Sequence, residues 1–100
     1  MLNYLTKLYE LGALPVVRPG AASRMAVGAS PTVSGGLGTT VVRLVATTDC
    51  HVCFGADPVA DENSLFLPAN MPEYFACAPE EKISAVSDAA DGMLYIAPAI

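Results

Sequence analysis

The sequence predicts an all-β fold: a small antiparallel β-sandwich or barrel, preceded by an N-terminal helix and an extended arm. Three observations carry this. From Val41 to Gly55 the chain reads VVRLVATTDCHVCFG, with Val42, Leu44, Ala46, Cys50, Val52 and Phe54 in alternation with Arg43, Thr47, Asp49 and His51. Side chains alternate across a strand, so this pattern describes one buried and one wet face. Downstream, short apolar runs follow at close spacing between Gly, Pro and Asp turns, which is the signature of a small sandwich or barrel. Upstream, Pro15, Pro19, Gly20, Gly28, Pro31, Gly35, Gly36 and Gly38 punctuate a stretch with little periodicity. The implied division is residues 1–38 as helix and arm and residues 39–100 as the β-domain.

Residues 1–11, MLNYLTKLYEL, place Leu2, Leu5, Leu8 and Tyr9 near one face at helical spacing, and Gly12 supplies a stop. Three turns are marginal alone, so this helix needs a surface to pack on. Leu14, Val16 and Val17 suit a short edge strand, with Pro15 keeping it from a sheet centre. The remainder of 13–38 is too long and irregular for a loop inside a compact domain and too apolar for a disordered linker. It reads as an arm ordered by contact with something else, and Gly35-Gly36-Leu37-Gly38 reads as a flexible lead-in to the first strand. Two strands follow, at about 40–47 and 50–55, folded as a hairpin or bent at the turn-prone Thr47-Thr48-Asp49. Residues 56–64 form a polar loop. Short strands are then expected at Leu65–Leu67, Glu73–Ala78, Lys82–Ser87 and Met93–Ala97, with turns at Pro79-Glu80-Glu81 and Asp88–Gly92. The expected buried face of the central pair is Val42, Leu44, Cys50, Val52 and Phe54.

Composition narrows the class of function. The chain has 100 residues, enough for one domain, and is 53% hydrophobic but only 15% charged. A small domain has much surface to cover, so this scarcity of charge points to a surface covered by partner chains. The net charge is −5, unevenly spread. Residues 1–43 hold Lys7, Arg18, Arg24 and Arg43 against Glu10, a net of +3, and residues 44–100 hold Lys82 against nine acids, a net of −8. Such an acidic body repels phosphates and argues against nucleic acid as a partner. A basic arm suits a neighbouring copy's acidic body, which makes Leu2, Leu5, Leu8, Tyr9, Arg18 and Arg24 the candidate interface residues. No membrane partner is expected, since the uncharged span Met25–Val42 contains Pro31 and four glycines. Three cysteines make no disulfide framework, and residues 2–11 lack the form of a secretory signal, so a reducing cytoplasm is the expected site of synthesis.

Chemistry-bearing motifs are scarce. Cys50-His51-Val52-Cys53 is a CxxC, and Cys77 could join it as a zinc ligand. However, residues three apart on a strand face opposite ways, and no second ligand pair exists. A redox pair would sit at a helix N-terminus, whereas this context is β. Cysteine acting as a small hydrophobe is the better reading. His51 is the only histidine, and Ser64, Ser84 and Ser87 lack a nucleophile-elbow sequence. Asp57, Asp61 and Glu62 do not have EF-hand spacing, and with Glu73, Glu80 and Glu81 they read as solvated groups. No catalytic residue, cofactor or metal is expected, and the chain is not expected to be an enzyme.

The segments VVRLVATTDCHVCFGADP, LFLPANMPEYFACAPEEKISAV and DGMLYIAP together carry an R-x-V-x-T-x-D-C strand pair and a G-x-x-P loop. They also carry L-P-A-x-x-P-E-Y-F, a P-x-x-K-I turn-strand and a final G-x-L strand. In these features, which cover residues 41–98, the chain resembles small virion structural proteins of tailed bacteriophages, encoded among head and neck genes. Similar proteins usually have Gly in the turn before the lysine, where this chain has Glu80-Glu81. The resemblance implies a non-enzymatic virion subunit made in the host cytoplasm, a capsid decoration or cement protein in first place and a neck or tail adaptor in second. The partners it implies are major capsid or neck proteins and copies of the chain itself. A small ligand- or receptor-binding β-module is the alternative from another class. Exposed aromatics at one end would mark it, but Tyr74, Phe75 and Tyr95 stand at strand positions that suit a core.

Overall fold

The computed structural model describes residues 22–99, which form eight strands. They are β1 (Ser23–Val27), β2 (Thr32–Val33), β3 (Val41–Ala46), β4 (Cys50–Gly55), β5 (Leu65–Leu67), β6 (Glu73–Ala76), β7 (Lys82–Ser87) and β8 (Gly92–Pro98). Two four-stranded sheets, ordered β1-β8-β3-β6 and β2-β7-β4-β5, pack face to face as a sandwich. Every strand pair is antiparallel.

Alternation along each strand produces the core. Val42, Leu44 and Ala46 of β3 turn inward beside Leu94 and Ile96 of β8 and Val27 of β1. Cys50 and Val52 of β4 face them from the other sheet with Leu67, Ile83 and Ala85. All eleven are buried. Phe54, at the far end of β4, is only half-buried and leans on Phe75 of β6, with ring centroids 5.6 Å apart.

The strands expected at 40–47 and 50–55 are present, but they do not form a hairpin. The chain bends at Thr47–Asp49 and carries β3 into one sheet and β4 into the other. Among the described strands only β4 and β5 follow one another within a sheet. The bend is held by distant backbone. Thr47 N–H donates to Met93 O (2.9 Å), Met93 N–H to Thr47 Oγ1 (2.9 Å) and Thr48 Oγ1 to Ala90 O (2.9 Å). Asp49 Oδ1 accepts from Ala69 N–H at 2.8 Å, and Asn70 N–H reaches Ala46 O at 2.7 Å. Asn70 adopts φ 61°, the left-handed region that asparagine tolerates better than most residues. Two loops, 68–72 and 88–91, are thus tied to one crossover.

The arm expected over 13–38 does not run through residues 23–38. Ser23–Val27 pairs along β8, and Thr32–Val33 pairs with β7. Residues 23–38 therefore belong to the sandwich, so the boundary between 38 and 39 does not divide the structure. The glycine run is not a loose lead-in either. Leu37 N–H donates to Glu81 O (2.9 Å) and Gly38 N–H to Pro79 O (2.8 Å), while the Leu37 side chain packs on the core. Gly38 has φ 66°, a conformation that costs a side chain energy. The expected helix over 1–11 and the strand near 14–17 lie outside the described residues.

Candidate interaction surfaces

The outer face of the β1-β8-β3-β6 sheet follows from the register. Arg24 pairs with Tyr95 and Tyr95 with Val45; in the next row Ala97 pairs with Arg43 and Arg43 with Tyr74. Outward positions thus form two rows that each mix an arginine, a tyrosine and small apolar side chains. Tyr74 is 52% exposed and Tyr95 37% exposed, so neither belongs to the core that their strand positions suggested. Phe75, next along β6, points the other way and packs against the core. No outward position of this sheet carries a carboxylate. Among the described residues the one ion pair is His51–Asp88, on the other side of the molecule.

The opposite outer face is covered by the loop 56–64. Ser84 points outward from β7 yet is fully buried, because its Oγ accepts the Ala60 N–H at 2.9 Å and the loop lies over it. Asp61 closes the loop by accepting from Asn63 N–H at 2.9 Å, and Ser64 N–H donates to Asp61 O at 3.0 Å. What the loop presents outward is apolar and acidic: Val59 is 68% exposed, and Asp57, Asp61 and Glu62 are exposed beside it. Phe66 of β5, 44% exposed, extends the apolar part.

His51 stands on this face and is half-buried rather than solvated. Nε2 lies 3.0 Å from Asp88 Oδ1 and Nδ1 lies 3.1 Å from Ser64 O, while the ring meets Phe66 edge-on at 5.5 Å. Both partners are acceptors, so only the doubly protonated imidazolium satisfies them together. The Asp88 hydrogen bond raises the His51 pKa first, the Ser64 carbonyl adds to it, and burial opposes them. With both nitrogens engaged, the side chain works as a clasp between β4, the 56–64 loop and the β7–β8 turn. A cavity of about 360 Å³ lies beside it, lined by Ala29, Pro31, Ala60–Glu62 and Val86–Asp88. A second cleft, about 350 Å³, opens at the end of the sandwich between Ser23, Ser34–Leu37, Val42, Ile96 and Pro98.

The cysteines are free thiols. Cys50 points into the core, where burial and then the Asp49 charge push its pKa up to about 11. Cys53 pairs with Ser84 on the outward side, so the two sulfurs of the CxxC sit on opposite faces. Cys77 leans on the core from the end of β6, its Sγ 3.2 Å from Thr39 O, and its pKa is raised by burial and by Glu81. Among the described residues no three His, Cys, Asp or Glu groups gather as a metal site would require. Glu81, expected to be solvated, instead accepts the Ala78 N–H at 2.7 Å and closes the turn before β7.

Of the candidate interface residues, Arg24 lies on β1 and is exposed on the arginine-bearing face. Leu2, Leu5, Leu8, Tyr9 and Arg18 lie outside the described residues. Alternation placed Arg43 on the wet face, but it did not show that Tyr74 and Tyr95 share that face, because this depends on which strands pair and in what register. Comparison with protein-family models, curated proteins and solved structures returns no match.

Proposed function

We propose that the chain is a non-enzymatic structural subunit of a tailed-phage virion, made in the host cytoplasm and bound to the capsid as a decoration or cement protein. The observation that carries this reading is the pair of outer faces. The sandwich leaves Val33, Val59, Leu65, Phe66, Met71, Tyr74 and Tyr95 exposed, and Val59, Phe66, Tyr74 and Tyr95 among them stand on the two outer faces. Tyrosine and arginine, which share one face here, are the residue types that dominate protein–protein contacts. The motif pattern of residues 41–98 supports the virion assignment, and the single histidine is committed to holding loops together. Residues 1–21 supply the remaining contacts to neighbouring subunits in this reading.

Mass-spectrometric copy counting on purified virions tests it. Decoration predicts a copy number in fixed ratio to the major capsid protein. A count of about a dozen or fewer would move the protein to the neck or tail, and absence from the virion would overturn the reading. Incorporation of intact chain and of chain lacking residues 1–21 into particles without the protein, with circular dichroism as a folding control, tests the arm. A folded truncated chain that incorporates normally would remove the arm from the mechanism.

A further inference from the structure

Charge is distributed across this sandwich by face. Arg24 and Arg43, two of the three cations among the described residues, stand on the outer face of the β1-β8-β3-β6 sheet. On the side of the opposite sheet the exposed carboxylates of Asp57, Asp61 and Glu62, carried by the covering loop, outnumber the one exposed lysine, Lys82 of β7. Each face also presents exposed apolar area: Tyr74 and Tyr95 on the first, Val59 and Phe66 on the second. The faces are therefore complementary in sign and alike in apolar character, and they look in opposite directions from one molecule.

We propose that the arginine–tyrosine face of one copy docks on the loop-covered acidic face of a second copy. The inference deepens the structural-subunit reading by naming the partner and the two surfaces. Because the surfaces differ, the contact is head-to-tail: it leaves one free face of each kind and propagates into a ring or a stack. Residues 1–21 are a poorer occupant of the arginine face, since Lys7 and Arg18 against Glu10 give them the same sign. Nucleic acid is poorer again, because the described residues carry nine acids against three cations. The arginines orient and select the partner, while the tyrosines supply the desolvated contact.

The experiment is sedimentation velocity on the full chain across about 10–500 µM, because one small sheet face belongs to the weak, transient class of interface. The wild-type chain is expected to self-associate at low salt, and less so at about 0.5 M salt, where the Debye length falls to a few ångströms. Two double variants separate the faces: R24E/R43E on one and D57K/E62K on the other. The four side chains replaced are at least partly exposed and make none of the hydrogen bonds that close the loop. Each variant alone should lose more than about tenfold in association. Mixed in equal amounts they should regain association, because the two intact faces meet in one contact and the two reversed faces meet, again with opposite sign, in the next. A D57K/E62K chain that associates like wild type would overturn the head-to-tail contact, as would a wild-type chain that is monomeric throughout. Association abolished by nuclease would assign the arginine face to nucleic acid and overturn it too. Absence from virions alongside intact self-association would fault the virion assignment alone, so the two readings fail separately.

Discussion

Replacing Gly92 by alanine probes the tie between the β3–β4 crossover and the last strand. A Cβ built at Gly92 would lie 2.7 Å from Thr47 Oγ1, 2.7 Å from Thr48 Cγ2 and 2.9 Å from Thr48 Cβ. Real Cβ atoms do not tolerate such distances, and neither threonine is free to swing away. Thr47 Oγ1 accepts the Met93 N–H and Thr48 Oγ1 donates to Ala90 O, so moving them breaks bonds that hold the crossover. Overpacking of this kind costs about 1–3 kcal/mol. For a domain of this size that is a drop in Tm of about 4–24 °C. Gly35→Ala is the matched control: nothing lies within 4 Å of its Cβ, so it should stay within about 0.5 kcal/mol of wild type. Urea melts of both variants measure the difference, with an unchanged slope required for a two-state comparison. Equal midpoints for the two variants would refute the close approach at Gly92.

Leu44→Ala removes a side chain with no exposed surface at the centre of the core and should cost about 2–5 kcal/mol, whereas Phe54→Ala should fall below a fully buried phenylalanine's loss; urea midpoints rank them, and a larger loss at Phe54 would misplace the core centre. His51 has a folded pKa raised above 6.5. Its contribution is therefore complete below about 6.5 and is lost as pH rises through the folded value. Melts of wild type and His51→Gln should converge with rising pH, and a gap that widens instead would reverse the assigned sign. Cys50, buried and with its pKa pushed up to about 11, should be the last thiol to react with an aromatic disulfide reagent at pH 8, trailing Cys53 and Cys77 until the fold opens. Mass mapping of early adducts on Cys50 would contradict its position.

Alternation determined much of this protein before any tertiary contact is considered. Apolar residues two apart from Val42 to Ala46 and from Cys50 to Val52, and short runs at Leu65–Leu67 and Lys82–Ser87, specify strands and their buried sides, because a strand's period is local and needs no knowledge of its neighbour. Pairing is different. β1 lies beside β8 roughly seventy residues away, and its sequence SRMAV alternates too weakly to announce itself, being an edge strand with one neighbour to satisfy. The crossover at Thr47–Asp49 reads equally well as a hairpin turn, and only the distant carbonyls of Met93 and Ala90 decide that it bridges two sheets. The buried state of Ser84, the clasp at His51 and the exposure of Tyr74 and Tyr95 likewise depend on which loop covers which face. A residue's own chemistry states that a hydroxyl or an imidazole needs partners, and only the folded chain determines where those partners arrive.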